Sequence, residues 1–266
     1  MRYSNLHTHS VYSDGKHSLE ENVLSALEKN MLSLGFSDHS FTACDTSYCM
    51  KLEKYSAYRQ EIAALKEKYA DKIPLFTGIE LDYYSQVDSM DYDYILASVH
   101  YIVKDGICYP IDHSPQQQKD CAQQVFGGDW IAMARCYFDM LCEHVAKTQP
   151  TVVGHFDVIT KFSLMPEEDP CYRSIAREAL ERVVAICPYV EVNTGAISRG
   201  WRQFPYPNRY LLEHLRQIGG RVVLSSDCHH KDNLTYWFSE AVQVLKEAGF
   251  DHICCFNGAG FDPMKI

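Results

Sequence analysis

The feature that most constrains the fold is an alternation of short apolar runs with longer amphipathic stripes. The runs are brief, and those at 151–154, 189–192 and 221–224 are rich in β-branched residues, as is typical of buried parallel strands. They cover residues 2–6, 32–37, 74–80, 94–99, 151–154, 189–193, 221–225 and 252–256. Parallel neighbours need right-handed crossovers, and seven or eight such strand–helix units close most simply as a barrel. The pattern therefore predicts an α/β barrel.

The amphipathic stripes predict the helices between these strands. Residues 19–30 place Leu19 and Val23 on one face, and Ser18 with Glu21 forms a capping box at the start of the stripe. Further stripes cover residues 55–69, 131–145, 175–183, 211–218 and 238–245. Helices at these places would cover the outer face of the sheet.

Two intervals fit a regular barrel poorly. Residues 81–93 are barely long enough for a helical crossover, and residues 101–128 are polar and lack a clear period. We therefore expect a distorted barrel with a capping loop over residues 101–128. The length of 266 residues suits one large core, so residues 1–266 are predicted to form a single domain.

The charge balance limits the partners of the chain. It has 25 Lys and Arg against 35 Asp and Glu, a net charge of -10, whereas a nucleic-acid-binding surface needs a basic patch. Nothing near the amino terminus resembles a signal segment or a membrane span. We expect a small charged substrate, with no nucleic-acid or membrane partner, and no pattern indicates an oligomeric state.

The cysteines indicate a reducing compartment, so we expect a cytoplasmic protein. There are 11, an odd number, and no two form a C-x-x-C pair. Apart from Cys228, which lies between Asp227 and His229, they are interpreted as small apolar fillers or surface thiols. These are Cys44, Cys49, Cys108, Cys121, Cys136, Cys142, Cys171, Cys187, Cys254 and Cys255.

Side chains of metal-ligand type follow the predicted strands at their carboxyl ends. They are His7, His9, Asp14, His39, Glu80, His100, His155, Asp227 and His229. Because the carboxyl ends of barrel strands meet on one rim, where active sites lie, we expect these side chains to converge. Imidazole and carboxylate ligands together suit zinc, iron and manganese. The set is too large for one ion, so it predicts a centre of two to three divalent metal ions.

Each motif alone also has a plain structural interpretation. The H-T-H at residues 7–9 points two imidazoles to one side of an extended segment, but such a triplet often occurs by chance. Asp14 lies in a turn-like S-D-G, and His17 is its rival as a ligand. His100 and His155 are each compatible with a hydrogen-bonded core histidine. The metal interpretation therefore rests on the whole set.

Six short motifs, taken in order, resemble those of the PHP superfamily, named for its polymerase-associated and histidinol phosphatase members. They are H-T-H-S at 7–10, D-H at 38–39, G-I-E at 78–80, S-V-H at 98–100, G-H-F-D at 154–157 and S-D-C-H at 226–229. Two segments, S-V-H-Y-I at 98–102 and E-V-N-T-G at 191–195, look like the histidinol-phosphate phosphatase branch. The resemblance spans nearly the whole chain. It implies a distorted (β/α)7-type, TIM-like barrel with a trinuclear metal centre.

The resemblance also implies how the ligands are shared, with Glu80 bridging two ions. The sets are His7, His9, Glu80 and Asp227 for one ion, Glu80, His100 and His155 for a second, and Asp14, His39 and His229 for a third. Other members carry a histidine or a differently spaced acid near the position of Asp14, which is our choice here. Glu80, Asp227 and His229 are the candidate catalytic residues.

The chemistry expected of such a centre is phosphate-ester hydrolysis. A hydroxide that bridges two clustered divalent ions can attack phosphorus in line with the leaving oxygen. Arg199 is the first candidate for binding the phosphate because a guanidinium binds it in a bidentate fork, and Lys161 is the second. The resemblance carries the same role to both residues. His230 is a further candidate substrate contact, and either it or a metal-bound water would protonate the leaving group.

The resemblance implies the hydrolysis of L-histidinol phosphate to L-histidinol and phosphate in histidine biosynthesis. Asp45, Asp112 or the acidic run at 167–169 is a candidate partner for the amine of this substrate. The alternatives are a phosphoesterase for nucleotides, sugar phosphates or nucleic acid, an amidohydrolase-like enzyme, and an inactive metal-binding module. The composition offers no basic groove for a nuclease, the lysine bridge common in amidohydrolases is not evident, and the complete ligand set ranks an inactive module last.

Overall fold

A parallel sheet forms the centre of the molecule in a computed structural model that describes residues 1–85 and 91–266. Within these residues seven strands are hydrogen-bonded side by side in the order in which they occur along the chain. They are β1 (Ser4–Asn5), β2 (Ser33–Phe36), β3 (Leu75–Asp82), β4 (Tyr94–Ser98), β7 (Val152–Val153), β8 (Tyr189–Asn193) and β9 (Arg221–Ser225). The labels β5 and β6 belong to a separate hairpin between β4 and β7. Every pairing in this sheet is parallel.

Helices cover the outside of this sheet, which explains why its strands are buried on both faces. The helices are α1 (Leu19–Glu28), α2 (Tyr55–Lys68), α3 (Pro115–Phe126), α4 (Trp130–Thr148), α5 (Pro170–Val184), α6 (Gly195–Ser198), α7 (Arg209–Gln217) and α8 (Phe238–Glu247). The capping box of Ser18 and Glu21 is formed as predicted. The prediction of a distorted (β/α)7-type barrel is confirmed. None of the described helices combines the length and apolar character that crossing a bilayer requires.

The barrel closes between β1 and β9 through a short contact at the carboxyl ends of these strands. Thr8 and Cys228 form a single parallel bridge, in which the backbone N–H of His9 donates to the carbonyl of Cys228 over 2.8 Å. Next to this bridge, the buried side-chain amide of Asn5 forms hydrogen bonds in place of backbone pairing between the two strands. Its Nδ2 donates to Ser226 Oγ at 2.8 Å and to the carbonyl of Leu234 at 3.1 Å. We call this junction the seam.

The apolar run at 252–256 forms β10 (His252–Phe256), but the prediction that it belongs to the barrel was wrong. It pairs with β11 (Phe261–Lys265) in a separate antiparallel hairpin. Phe256 of this hairpin packs with Leu6 and Tyr94 of the barrel strands. The seam leaves no free edge for another parallel strand, so the run instead buries its side chains against the barrel core.

The polar stretch 101–128, predicted as a capping loop, contains regular structure. It forms the antiparallel hairpin β5 (Tyr101–Lys104) and β6 (Ile107–Pro110), followed by helix α3. The hairpin turns at Asp105 and Gly106, both with positive φ, as the D-G sequence of a tight turn requires. Ser114 caps α3, whose first residue is a proline. Of the other irregular interval, 81–93, residues 86–90 lie outside the described part.

Two cysteines were wrongly interpreted as thiols. Cys44, in the loop after β2, and Cys108, in β6, form a disulfide across a sequence separation of 64 residues. Only the folded chain brings them together, so no local pattern pointed to the pair. The other nine cysteines are free. Strands from both halves of the chain share one sheet, which supports the proposal that residues 1–266 form a single domain.

We expect Asn5→Ala to lower the free energy of unfolding by about 2–4 kcal/mol, because it leaves several buried polar groups of the seam without partners. Chemical denaturation monitored by circular dichroism measures this value. The control is Gln116→Ala, which removes an exposed amide that bonds to Asp120 on α3, and should change stability by less than about 0.5 kcal/mol. Equal effects of the two substitutions would contradict the role given to Asn5.

Candidate metal centre

The carboxyl ends of the barrel strands bring all the predicted ligands to one place. His7 and His9 follow β1, His39 follows β2, Glu80 lies in β3, His100 follows β4, His155 follows β7, and Asp227 and His229 follow β9. Asp14 reaches the same place from the loop before α1. Most of these side chains are buried, whereas Asp14 and His229 are partly exposed. The rim of the barrel therefore carries a dense cluster of imidazoles and carboxylates.

Glu80 lies at the centre of this cluster and is fully buried. Its two oxygens face five imidazoles. Oε2 lies 3.2 Å from His7 Nε2, 3.6 Å from His9 Nε2 and 2.8 Å from His39 Nδ1, while Oε1 lies 2.9 Å from His155 Nε2 and 3.3 Å from His100 Nε2. This position is the one expected of a carboxylate that bridges ions.

Several atoms of the cluster lack hydrogen bonds, and this tests whether metal ions fit. Among the described residues, His7 Nε2, both ring nitrogens of His9 and Glu80 Oε2 are buried without a hydrogen-bond partner. Buried polar atoms are almost always paired, because an unpaired one costs about 1–3 kcal/mol. Divalent ions bound by these nitrogens and oxygens would satisfy them together. The donor set therefore fits a polynuclear metal centre.

Four overlapping groups of side chains bring ligand atoms within 4.8 Å of one another. They are His9, Asp14, His39 and His229; His7, His9 and Asp227; His7, Glu80 and His155; and His39, Glu80 and His100. The first group contains the whole set expected for a third ion. In the set expected for a second ion, His100 Nε2 and His155 Nε2 lie 3.3 Å apart beside Glu80 Oε1. The geometry is compatible with the predicted sharing of ligands.

The position of Asp14 bears on its rivalry with His17. Asp14 Oδ2 lies 3.2 Å from His229 Nε2, and Asp14 Oδ1 lies 3.7 Å from His39 Nε2. His17 packs instead against the ring of His230, with 4.4 Å between centroids. The arrangement therefore supports Asp14 as the ligand.

Buried Asp38 shapes the loop that presents Asp14. Its carboxylate accepts from the backbone N–H and hydroxyl of Ser10 at 2.8 and 2.9 Å, and from the hydroxyl of Ser13 at 2.6 Å. Burial raises the pKa of Asp38, while these hydrogen bonds oppose the rise. The aspartate of the D-H motif thus holds the loop, and the histidine beside it faces the ligand cluster.

Two buried carboxylates behind the ligands were not predicted as site residues. Glu191 Oε1 lies 2.6 Å from His7 Nδ1, and Asp82 Oδ2 lies 3.2 Å from His100 Nδ1. A carboxylate can only accept, so each places the proton on Nδ1 and leaves the Nε2 lone pair directed at the cluster. The available signal was an acidic residue inside a buried strand, since Glu191 interrupts the apolar run of β8.

Burial favours the neutral form of the candidate ligand imidazoles, whereas nearby carboxylates raise the pKa of His7, His39 and His100 above its usual value. Burial, together with the neighbouring imidazoles of His229 and His39, lowers the pKa of His9 to about 3. Burial would raise the pKa of Glu191, but His7 beside it lowers the pKa below its usual value. Neutral imidazole and ionised carboxylate are the forms that metal binding requires.

Asp227 has an unusual backbone conformation and packs closely against a glycine. It adopts the left-handed conformation, with φ of 47°. A Cβ atom on Gly195 would lie 2.7 Å from the Cβ atom of Asp227. The glycine of the E-V-N-T-G segment therefore makes room for a ligand that comes from the next strand of the barrel.

A cavity of about 680 Å³ opens above the cluster, and the three predicted substrate-binding residues line it. The guanidinium of Arg199 lies 2.8 Å from Asp227 Oδ2 and 3.2 Å from His229 Nδ1. Lys161 Nζ donates to the carbonyl of Asp112 over 2.6 Å. His230, the third, is 40% exposed at its side chain. Arg199 is thus in direct contact with two of the candidate ligands.

The wall of the cavity carries residues that the sequence interpretation left out or left open. Tyr48 comes from the loop after β2, and Asp112 and His113 follow β6. The rings of Tyr48 and His113 pack edge to face at 5.4 Å. The Cys44–Cys108 disulfide joins the two segments that supply this wall. Asp45, one of the acidic candidates, lines the cavity as well.

Replacing Glu191 by Gln should weaken metal binding by about 10–100-fold, because an amide no longer fixes the tautomer of His7 as a carboxylate does. The zinc retained after dialysis against graded chelator concentrations measures this loss. The control is Glu181→Gln, since Glu181 also contacts a histidine, His214 Nε2 at 2.8 Å, but on the surface. Equal zinc retention by wild type and both variants would rule out this role for Glu191.

Comparison with known proteins agrees with this geometry. The PHP domain model matches residues 5–195. A Schizosaccharomyces pombe protein named "Probable histidinol-phosphatase" is 26% identical, with 93% of this chain and 87% of that protein aligned. The histidinol-phosphatase of Lactococcus lactis subsp. lactis is 24% identical, with 100% and 98% aligned.

A solved structure shows the same fold. It is the crystal structure of histidinol phosphate phosphatase from Lactococcus lactis subsp. lactis, complexed with zinc, L-histidinol and phosphate. It superposes with a TM-score of 0.72 at 22% sequence identity, covering 98% of this chain and 99% of that one. Because the family model matches most of the chain and the barrel presents the ligand cluster at its rim, the chain belongs to the PHP domain family.

Proposed function

We propose that the protein is a metal-dependent phosphomonoesterase that hydrolyses L-histidinol phosphate to L-histidinol and phosphate. One observation carries the proposal: a guanidinium, that of Arg199, lies in the same cavity as the Glu80-centred ligand cluster and touches it. A phosphate needs both a fixed cation and a means of activating water. The names of the relatives support histidinol phosphate as the substrate.

The ligand cluster supports the proposal that two to three divalent ions bind here, and zinc, iron and manganese all suit its donors. When bound, such ions lower the pKa of their bound water towards neutral pH and neutralise charge on the phosphoryl oxygens. The chain's own part is to hold the ligands in place, through Glu80 between the imidazoles and through Glu191 and Asp82 behind them. Asp227 and His229 complete the proposed catalytic set.

Arg199 is proposed to bind and orient the phosphate. Its fork can hold two phosphate oxygens at once, and its contact with Asp227 keeps it beside the reacting centre. Burial opposes its charge, but Asp227 raises its pKa, so the guanidinium stays charged at every physiological pH. Lys161 and His230, on the same cavity, are proposed further substrate contacts.

The size and lining of the cavity support the proposal of a small substrate rather than a polymer. Its volume of about 680 Å³ suits one small molecule. Its lining mixes the basic side chains of Lys16, Lys161 and Arg199 with the acidic side chains of Asp14, Asp45, Asp112 and Asp227. A nucleic acid would require a continuous basic surface. A phosphate ester that also carries a positive charge matches this mixed lining better.

A cytoplasmic location is also proposed. The nine free cysteines suit a reducing compartment, whereas the Cys44–Cys108 disulfide is a feature more common in oxidising ones. The location therefore rests on the larger number of free thiols.

The metal-loaded enzyme should hydrolyse histidinol phosphate with a kcat/KM at least about 10-fold above that for aryl phosphates, sugar phosphates and nucleotides, because the mixed lining favours a zwitterionic ester by about 1.4 kcal/mol or more. Phosphate release measured over this panel, with short DNA included, tests the assignment. A value for histidinol phosphate no better than that for an aryl phosphate would refute the substrate. Loss of all activity after chelation, with recovery on adding zinc or manganese, is the expected control result.

Arg199→Ala should raise the KM for histidinol phosphate by about 10–100-fold, the loss expected for one charged hydrogen-bonding group. Arg199→Lys should fall between this variant and wild type, because an ammonium keeps the charge but loses the fork. Arg209→Ala removes a surface arginine that pairs with Glu213 and serves as the matched control. An unchanged KM at full metal content in Arg199→Ala would remove Arg199 from the phosphate site.

A further inference from the structure

The cavity wall contains a carboxylate whose hydrogen-bonding capacity is only partly used. Asp112 lines the cavity and is 9% exposed. Its Oδ2 lies 3.2 Å from Lys161 Nζ, whereas its Oδ1 has no hydrogen-bond partner among the described residues. A buried carboxylate oxygen normally accepts at least one hydrogen bond. Asp112 therefore retains an acceptor for a donor that is not part of this chain.

The surroundings of Asp112 keep it ionised. Burial opposes ionisation, but Lys161 and then His100, His113 and His155 lower its pKa below the usual range. Of these neighbours Lys161 is the one with a fixed positive charge. It donates to the backbone carbonyl of Asp112 as well as contacting the carboxylate. The ammonium of Lys161 is thus already engaged on the wall before any phosphate arrives.

The cavity wall around Asp112 suits a ligand in which an aromatic ring lies next to a positive charge. Tyr48 and His113 line the same cavity and pack edge to face, and the hydroxyl of Tyr48 is buried without a hydrogen-bond partner in the described part of the chain. Arg199 lines the same cavity and contacts the ligand cluster. A small molecule with its phosphate at Arg199 would share the cavity with Asp112, so another of its groups could contact this carboxylate.

We infer that Asp112 is a specificity-determining residue that binds the ammonium group of the substrate, and that Lys161 mainly holds the Asp112 carboxylate in place. The inference rests on the proposed function, because histidinol phosphate carries a primary ammonium a few bonds from its phosphorus. A charged hydrogen bond to a buried carboxylate is worth more than one to an exposed carboxylate. Asp112 would therefore distinguish amino-bearing phosphate esters from neutral ones.

The test compares matched substrates in the metal-loaded enzyme. Asp112→Asn keeps the shape of the side chain and removes its charge. We expect kcat/KM for histidinol phosphate to fall by about 10–100-fold, the equivalent of one charged hydrogen bond. For the des-amino analogue, 3-(imidazol-4-yl)propyl phosphate, the change should stay below about threefold. Asp139→Asn, which breaks a surface pair with Arg182, is the control and should affect neither substrate.

Two outcomes would overturn the inference. An equal loss on both substrates would mean that Asp112 acts on the phosphate through Lys161, and no loss on either would mean that it does not contact the substrate. Lys161→Gln provides a second variant should Asp112→Asn not fold. Its preference for the amino substrate over the analogue should decrease but stay above unity, because Asp112 keeps its charge and loses only the contact that positions it. A preference reduced to unity would also overturn the inference.

A second substrate pair separates this inference from the proposed function. Aminoethyl phosphate and ethyl phosphate differ only in the ammonium group and lack the imidazole. If wild type prefers the amino ester and Asp112→Asn loses that preference, the inference holds even when histidinol phosphate proves a poor substrate. If wild type hydrolyses histidinol phosphate well but shows no preference within this pair, the role of Asp112 fails and the proposed function stands.

Discussion

The burial of the Glu80 carboxylate among imidazoles is the interaction on which the rest of the site depends. A bare carboxylate at this depth is costly, and hydrogen bonds from neutral histidines relieve only part of the cost. Glu80 accepts from His155, while its other oxygen faces three rings without a hydrogen bond from the described residues. The barrel thus delivers a concentrated set of lone pairs to one point. Bound cations would satisfy these lone pairs and offset the charge of the carboxylate.

The acidic side chains of the rim have two roles, which depend on whether they face the ligand cluster or the residues around it. Glu80, Asp14 and Asp227 face the cluster, whereas Glu191 and Asp38 face the histidines and loops that surround it. The second kind fixes which nitrogen of a ring carries the proton and where a loop runs. This division explains how a chain with a net charge of -10 can present a site for an anionic ester. Near the centre, Glu80 and Glu191 contact histidines, and Asp227 contacts the guanidinium of Arg199.

Residues at strand ends were predictable from the sequence because a parallel barrel converts strand order into proximity. A short apolar run followed by a histidine or acid placed His39, Glu80 and His155 on one rim without knowledge of any contact. The same reasoning failed for the run at 252–256, because an apolar strand alone does not say which sheet accepts it. Its pairing was decided by closure of the barrel elsewhere.

Features set by loops were harder to predict. The hairpin before α3 had local signals in its D-G turn and in its serine–proline start, which the polar composition of residues 101–128 concealed. The Cys44–Cys108 pair and the approach of Tyr48 to His113 depend on how two distant segments fold over the rim. No period or spacing encodes such contacts. The ligand cluster was therefore more predictable than the wall that faces the substrate.

The seam has a consequence for how the molecule is completed. The single bridge between Thr8 and Cys228 lies between the residue pairs His7, His9 and Asp227, His229, so this short junction of the sheet carries candidate ligands on both sides. An ion held by His9 and Asp227 would tie the first strand to the last. The supply of the ion would then affect how firmly the two ends of the sheet, already linked by the Thr8–Cys228 bridge, stay joined.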